Sequence, residues 1–82
     1  MTYQEREVSK NQLEKLLQIL DLDEGIRIEN KSDIIFINRS ANRYCVNISS
    51  QGSEEFFYHA SVSEVLDFLN KKIDQTSKIF SY

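Results

Sequence analysis

Two short runs of β-branched and aromatic residues constrain this chain more than any other feature. They are Ile34–Asn38 and Tyr44–Ile48, and a polar turn at Arg39–Arg43 separates them. Residues of these types favour strands, and so short a connection makes the two strands antiparallel. Every position from 34 to 37 is apolar, which is typical of a central strand that is covered on both faces. We therefore predict a β-hairpin at the centre of the fold.

Two further segments extend this hairpin into a sheet that covers residues 25–60. Ile26–Glu29 alternates apolar and charged side chains with a period of two, and Glu54–Ala60 is a short aromatic run. Because the connections are only a few residues long, successive strands should pair as an antiparallel meander of three to four strands. Lys78–Tyr82 is either an added edge strand or a tail that packs by its aromatic side chains.

Helix signals flank the predicted sheet on both sides. Ser9–Gln12 and Ser61–Glu64 each have the pattern of a capping box, in which a Ser and a Gln or Glu three residues later satisfy the first backbone N–H groups. The apolar residues that follow each box recur on one helical face. They are Leu13, Leu16, Leu17 and Leu20 in the first helix, and Val62, Val65, Leu66, Leu69 and Ile73 in the second. The helices are predicted at 8–24, ended by Gly25, and at 61–75.

The order of elements is therefore α-β-β-β-(β)-α within one domain of 82 residues. We predict an α+β fold in which an N-terminal and a C-terminal helix pack on an antiparallel sheet. Residues 1–7 are predicted as a polar N-terminal arm, and residues 76–82 as a tail or an edge strand.

Composition excludes several classes of function. The chain has one cysteine and one histidine, so it forms no intrachain disulfide and no zinc site that needs several thiolates or imidazoles. No apolar run approaches the ~18 residues of a membrane span, and the polar first residues contain no secretory signal. We expect a cytoplasmic protein without a cofactor or a membrane partner. The net charge of −3 also weighs against direct binding of nucleic acid.

Three features resemble catalytic or metal sites, and each has a simpler explanation. His59 has no nucleophile near it in sequence, and Cys45 is isolated and fits a small core residue. Asp21–Gly25 begins like a calcium loop, but Ile26 starts a strand where further oxygen ligands are needed. With two glycines and none of the common catalytic motifs, the chain is predicted not to be an enzyme.

Side-chain alternation predicts a second, open face on the sheet. If Tyr44, Val46 and Ile48 face the helices, the open face carries Cys45, Asn47, two of residues 34–37, and either Phe56 and Tyr58 or Phe57 and His59. An apolar and aromatic face of this kind is more than a monomer usually leaves in water. We predict that this face or an adjacent edge binds a protein partner or a second copy of the chain, with Phe36 and Tyr58 among the contacts.

At the level of element order, size and charge, the chain resembles the small acidic anti-CRISPR proteins of phages, in particular Cas9 inhibitors. The resemblance covers most of the chain: the strand pattern at 26–48, the acidic residues at 21–24 and 54–55, and the apolar helix from Ser61. It implies stoichiometric inhibition of a basic nucleic-acid-binding effector in the host cell, with carboxylates occupying a site meant for DNA or RNA. The candidate contacts are Asp21, Asp23, Glu24, Glu54 and Glu55.

We therefore expect a non-enzymatic protein-interaction domain of the phage-inhibitor type. The alternative is a small nucleic-acid-binding or transcription-regulatory protein that acts through Arg27, Arg39 and Arg43, which a meander could gather at one end of the sheet.

Overall fold

The structure, a computed structural model, describes residues 5–82. Within that range the chain forms strands β1 (Arg6–Val8), β2 (Gly25–Glu29), β3 (Ile34–Ser40), β4 (Arg43–Ser50), β5 (Ser53–His59) and β6 (Lys78–Ser81), helices α1 (Leu13–Gln18) and α2 (Val62–Asn70), and a 3-10 turn at Lys10–Gln12. The predicted class, an α+β fold with an antiparallel sheet and two helices, is confirmed.

The sheet is larger than the predicted three to four strands. Among the described residues it has six strands, which lie in the order β1-β6-β2-β3-β4-β5, and every neighbouring pair is antiparallel. The segments β2 to β5 form the expected meander. Beside it, β6 pairs with both β2 and β1, so Lys78–Ser81 is an internal strand and not an edge strand or a tail.

Strand β1 replaces part of the predicted polar arm at residues 1–7. Arg6–Val8 pairs with β6, and Val8 opposite Ile79 contributes to the core. Residues 1–4 of that predicted arm lie outside the described residues. Arg6–Val8 has three residues and a single apolar side chain, which is too short a pattern to predict a strand. Its partner strand lies at the other end of the chain, so the neighbouring residues do not reveal the pairing.

One face of the sheet and the two helices enclose the core. Ile26, Ile37 and Val46 lie opposite one another on three adjacent strands, and Ile28 and Ile35 form the next row. Burying one such side chain fully stabilises the fold by roughly 1.5–3 kcal/mol. The largest side chains with no exposed surface are Leu17, Ile26, Ile28, Ile35, Ile37, Val46, Val65 and Leu69.

The first helix is shorter than the predicted 8–24. The capping pattern at Ser9 forms in part, since the Gln12 side-chain oxygen accepts from the Ser9 backbone N–H at 2.9 Å. Past Gln18, a local turn replaces the helix, and in it the Asp21 N–H donates to the Glu24 carboxylate at 2.9 Å. Acidic residues at a helix C-terminus oppose its dipole and compete for backbone groups, which accounts for the early end.

The second helix begins where its capping signal placed it. The Ser61 hydroxyl accepts from the Glu64 backbone N–H at 3.3 Å, and Val65 and Leu69 bury the apolar stripe. Helix α2 ends at Asn70, before the predicted 75, although Ile73 is still buried. Helix α1 is tied to the sheet by the Tyr44 hydroxyl, which donates to the Leu17 carbonyl at 2.8 Å.

No helix among residues 5–82 is long and apolar enough to cross a membrane.

Candidate functional site

The face of the sheet opposite the helices is the candidate site, and we call it the open face. The register places alternate residues of adjacent strands on it in rows. The central row is Glu7, Phe80, Arg27, Phe36, Asn47 and Phe56, with Tyr82, Gly25, Asn38, Cys45 and Tyr58 above it and Lys78, Glu29, Ile34, Ser49 and Glu54 below it.

Strands β3 to β5 carry an exposed aromatic half of this face. The exposed fractions are 56% for Phe56, 52% for Tyr58 and 37% for Ile34, while Phe36 and Cys45 are half-buried. Fully burying an aromatic side chain removes roughly 150–250 Å² of surface from water, so this half leaves a large apolar area in contact with water. The unbroken apolar run at Ile34 arises because its even positions face outward here and its odd positions face the core.

The other half of the open face, on β6 and β2, is charged and internally neutralised. The Arg27 guanidinium lies 4.4 Å from the centre of the Phe80 ring, donates to both carboxylate oxygens of Glu5 at 2.8 and 2.9 Å, and pairs with Glu29. Hydrogen bonds from Arg27 lower the pKa of Glu5, and the same bonds raise the pKa of Arg27. Arg27 is therefore engaged on the protein itself.

Arg43 differs from Arg27 in its surroundings. Its guanidinium lies over the Tyr58 ring, 4.1 Å from the ring centre, on the exposed aromatic half. Within residues 5–82 no carboxylate forms an ion pair with it. This cation–π stack therefore presents both a positive charge and an aromatic ring to a ligand.

The acidic candidates lie at two separate places. Asp21, Asp23 and Glu24 are exposed in the turn before β2, where Asp23 borders a shallow groove shared with Phe36 and Tyr82. Glu54 and Glu55 are exposed on β5 at the other end of the sheet. The alternation of the strand puts Glu54 on the open face and Glu55 on the helix side. The five carboxylates do not form one continuous strip.

The aromatic candidates, in contrast, share a surface. Phe36 and Tyr58 both lie on the open face, separated by β4. Phe56 lies on the same face, because it is two residues from Tyr58 and side chains in a strand alternate with a period of two. The sequence pattern alone therefore predicts that Phe56 and Tyr58 share a face. Phe80 and Tyr82 were missed, because a sequence pattern does not reveal that β6 lies inside the sheet.

The two candidate catalytic residues, Cys45 and His59, lie on opposite faces of the sheet. Cys45 lies on the open face, whereas His59 lies on the helix side, 5.3 Å from Phe68 between ring centres. The His59 Nε2 atom is buried and has no hydrogen-bond partner among the described residues. In that same range, no three His, Cys, Asp or Glu side chains cluster as a metal site would require.

The arginines of the nucleic-acid alternative also diverge. Arg39 lies on the helix side, where its Nη1 donates to the Leu20 carbonyl at 3.0 Å, while Arg27 and Arg43 lie on the open face. Arg39 and Arg43 both lie at the β3–β4 turn, but on opposite faces, and Arg27 lies in the central row, so the predicted gathering of all three at one end of the sheet occurs only in part.

Comparisons of this chain with family models, with curated proteins and with solved structures find no match.

Proposed function

We propose that this chain is a non-enzymatic protein-interaction domain that binds a partner protein through the exposed aromatic half of its open face. The observation that carries the proposal is the exposure of Phe56 and Tyr58, each more than half accessible, beside Ile34 and Phe36 on one side of the sheet. Aromatic residues and arginine on a surface of this kind are the groups that most often dominate the binding energy of a protein interface.

The charges around this surface indicate the chemistry of the partner. Glu54 lies at one end of the aromatic half, and the turn with Asp21, Asp23 and Glu24 precedes β2 at the other. The net charge of the chain is −3. A partner with an apolar centre and a basic margin would match this arrangement, because carboxylates at a rim speed association and select against acidic surfaces.

A nucleic-acid-handling protein of a host cell has such a basic surface. We propose that this chain acts in the cytoplasm and inhibits an effector of that class, as the phage anti-CRISPR proteins do. The carboxylates would act at the margins of the contact, and the aromatic side chains would act at its centre.

Direct binding of a single-stranded nucleic acid is the second candidate, and the Arg43–Tyr58 stack is the observation that favours it. Aromatic side chains on a sheet face can stack on bases, and arginine adds charge. The charge balance weighs against it, since Arg27 is neutralised by Glu5 and Glu29 and Arg39 lies on the other side of the sheet.

The decisive experiment is affinity capture from nuclease-treated host lysate, with wild type compared with a Phe56→Ser, Tyr58→Ser double variant. A matched control carries Glu14→Ser and Lys15→Ser, two exposed residues of α1 that lie on the helix side. We expect a protein that wild type and control recover equally and that the double variant recovers at least about tenfold less. Equal recovery by all three would refute the role of the face.

Two further arms separate the alternatives. The Asp21→Ala, Asp23→Ala, Glu24→Ala variant should weaken capture mainly at low salt, because exposed charges are screened as ionic strength rises. Fluorescence anisotropy with single-stranded DNA and RNA oligonucleotides tests the second candidate. Strongly salt-dependent binding of these oligonucleotides would favour nucleic acid over a protein partner.

A further inference from the structure

The outer edge of β5 presents a set of backbone groups that pair with no other strand among residues 5–82. The Gln51–Gly52 turn has two residues with positive φ angles of 44° and 84°, so the flanking Ser50 and Ser53 exchange both backbone hydrogen bonds. Residue pairs that exchange both backbone hydrogen bonds then recur at every second residue along β4 and β5. The residues of β5 that bond β4 are Ser53, Glu55, Phe57 and His59.

The same alternation follows independently from the other side of the sheet. Gly25 and Tyr82 exchange both backbone hydrogen bonds, at 2.9 and 3.0 Å. Counting bonded and non-bonded pairs outward from there through β2, β3 and β4 gives the same result at β5. The backbone N–H and C=O groups of Glu54, Phe56 and Tyr58 therefore point away from the sheet, and their side chains lie on the open face.

This edge has few of the usual devices that block pairing. Strand β5 has seven residues and contains no proline. The other edge strand, β1, has three residues, and Glu7 is the one whose backbone points outward by the same count. Short and charged edges resist pairing, whereas long regular ones invite it, and of the three outward residues of β5 only Glu54 is charged.

We propose that two copies of this chain pair antiparallel through their β5 edges, about a two-fold axis at Phe56. This register opposes Phe56 to Phe56 of the second copy and Glu54 to Tyr58 of the second copy, so that all three outward residues form bonded pairs. The two sheets become one, with both open faces on the same side. The inference goes beyond the proposed function and does not depend on it.

The alternative registers are less favourable. A two-fold axis at Glu55 opposes that carboxylate to its own copy and pairs only Glu54 with Phe56. Like charges directly opposite one another destabilise a strand pair. An axis at Phe57 pairs only Phe56 with Tyr58 and moves the partner of Glu54 beyond the end of the strand.

Charge complementarity singles out the register centred on Phe56. There, Glu54 lies beside Tyr58 of the second copy on the open face, and Arg43 of that copy lies over the Tyr58 ring at 4.1 Å. The carboxylate of Glu54 and the guanidinium of Arg43, which pairs with no carboxylate of residues 5–82, thus meet across the interface, and the two-fold axis makes the contact twice. Opposite charges on neighbouring strands stabilise such a pair.

Sedimentation equilibrium of the whole chain tests the inference. Wild type should dimerise, Glu54→Arg should raise the dimer dissociation constant at least about tenfold, and Glu54→Arg with Arg43→Glu should restore it. Glu55→Arg is the matched control on the opposite side of the strand, and it should dimerise as wild type does. Phe56→Pro removes an outward N–H without removing a bond to β4, and should give a folded monomer by circular dichroism.

A monomer at all concentrations up to about 1 mM would overturn the proposal. So would a dimer that Glu54→Arg leaves unchanged, or a loss that the charge-reversed double variant does not restore. If Phe56→Pro does not fold, the charge variants still decide the test, because they replace only exposed side chains.

Discussion

The ring of Tyr82 lies directly against Gly25 on the open face, so that a β-carbon at position 25 would stand 2.6 Å from the phenol. Gly25→Ala must therefore displace the ring. Because the ring is the far end of a side chain, it can swing aside, and we expect a loss of about 1 kcal/mol, at the low end for overpacking. Urea unfolding measures this change.

A double-mutant cycle separates the ring contact from backbone effects at Gly25. In a Tyr82→Ala background, Gly25→Ala should cost much less than in wild type, because the obstructing ring is absent. An equal cost in both backgrounds would contradict the contact.

Tyr44→Phe should destabilise the fold by about 1 kcal/mol. The change removes the hydroxyl that donates to the Leu17 carbonyl at 2.8 Å and leaves that buried carbonyl without this bond. Thermal or urea unfolding measures the loss. Tyr58→Phe is the matched control, since Tyr58 is 52% exposed and its hydroxyl can bond water. Equal losses of stability from the two variants would contradict a stabilising hydrogen bond between Tyr44 of β4 and Leu17 of α1.

His59→Phe should stabilise the protein by about 1 kcal/mol, because it removes a buried polar atom that has no hydrogen-bond partner within residues 5–82. The new ring would still pack against Phe68, which already contacts Phe57 at 4.9 Å between ring centres. Chemical denaturation measures the gain, and Phe56→Tyr on the open face serves as a control with little effect. A large loss of stability would show that the imidazole has an unrecognised partner.

The Glu5–Arg27 pair predicts a dependence of stability on pH. The pKa of Glu5 is lowered from 4.5 by its hydrogen bonds from Arg27, so the folded state favours the ionised carboxylate. Its contribution to stability is fully present above pH 4.5 and is lost as the pH falls through the lowered pKa. Wild type should therefore be more stable than Glu5→Gln at pH 7, and the difference should vanish in strong acid.

Urea midpoints of the two proteins between pH 2 and pH 7 measure this window. Because Glu5 is exposed, the difference should be small and should shrink with added salt. A difference that stays constant down to the lowest pH would contradict the ionic origin.

The interior of the fold was predictable where local patterns agree with tertiary structure. The central hairpin and the capping box at Ser61 appear where the sequence placed them, because each depends on residues that are close together in the chain. The open face was predictable from Phe36 and Tyr58, because alternation in a strand is a strong geometric rule. The sequence pattern did not choose between the two parities of β5.

The elements that were missed depend on contacts between distant segments. Nothing local in Arg6–Val8 distinguishes a strand from an exposed arm, and only pairing with Lys78–Ser81 makes it one. The length of α1 was overestimated because Gly25 was expected to end it, whereas the helix ends at Gln18 and Ile19 and Leu22 beyond it are 61% and 67% exposed. The turn from Asp21 to Glu24 decided that boundary.

The position of β6 between β1 and β2 also sets an order of assembly. The meander from β2 to β5 pairs neighbours in sequence and can form early, whereas β1 waits for a segment from the far end of the chain. During synthesis from the N-terminus, the edge of β2 stays open until residues 78–81 leave the ribosome. A nascent chain halted before that point exposes a strand edge to other chains and is at risk of aggregation.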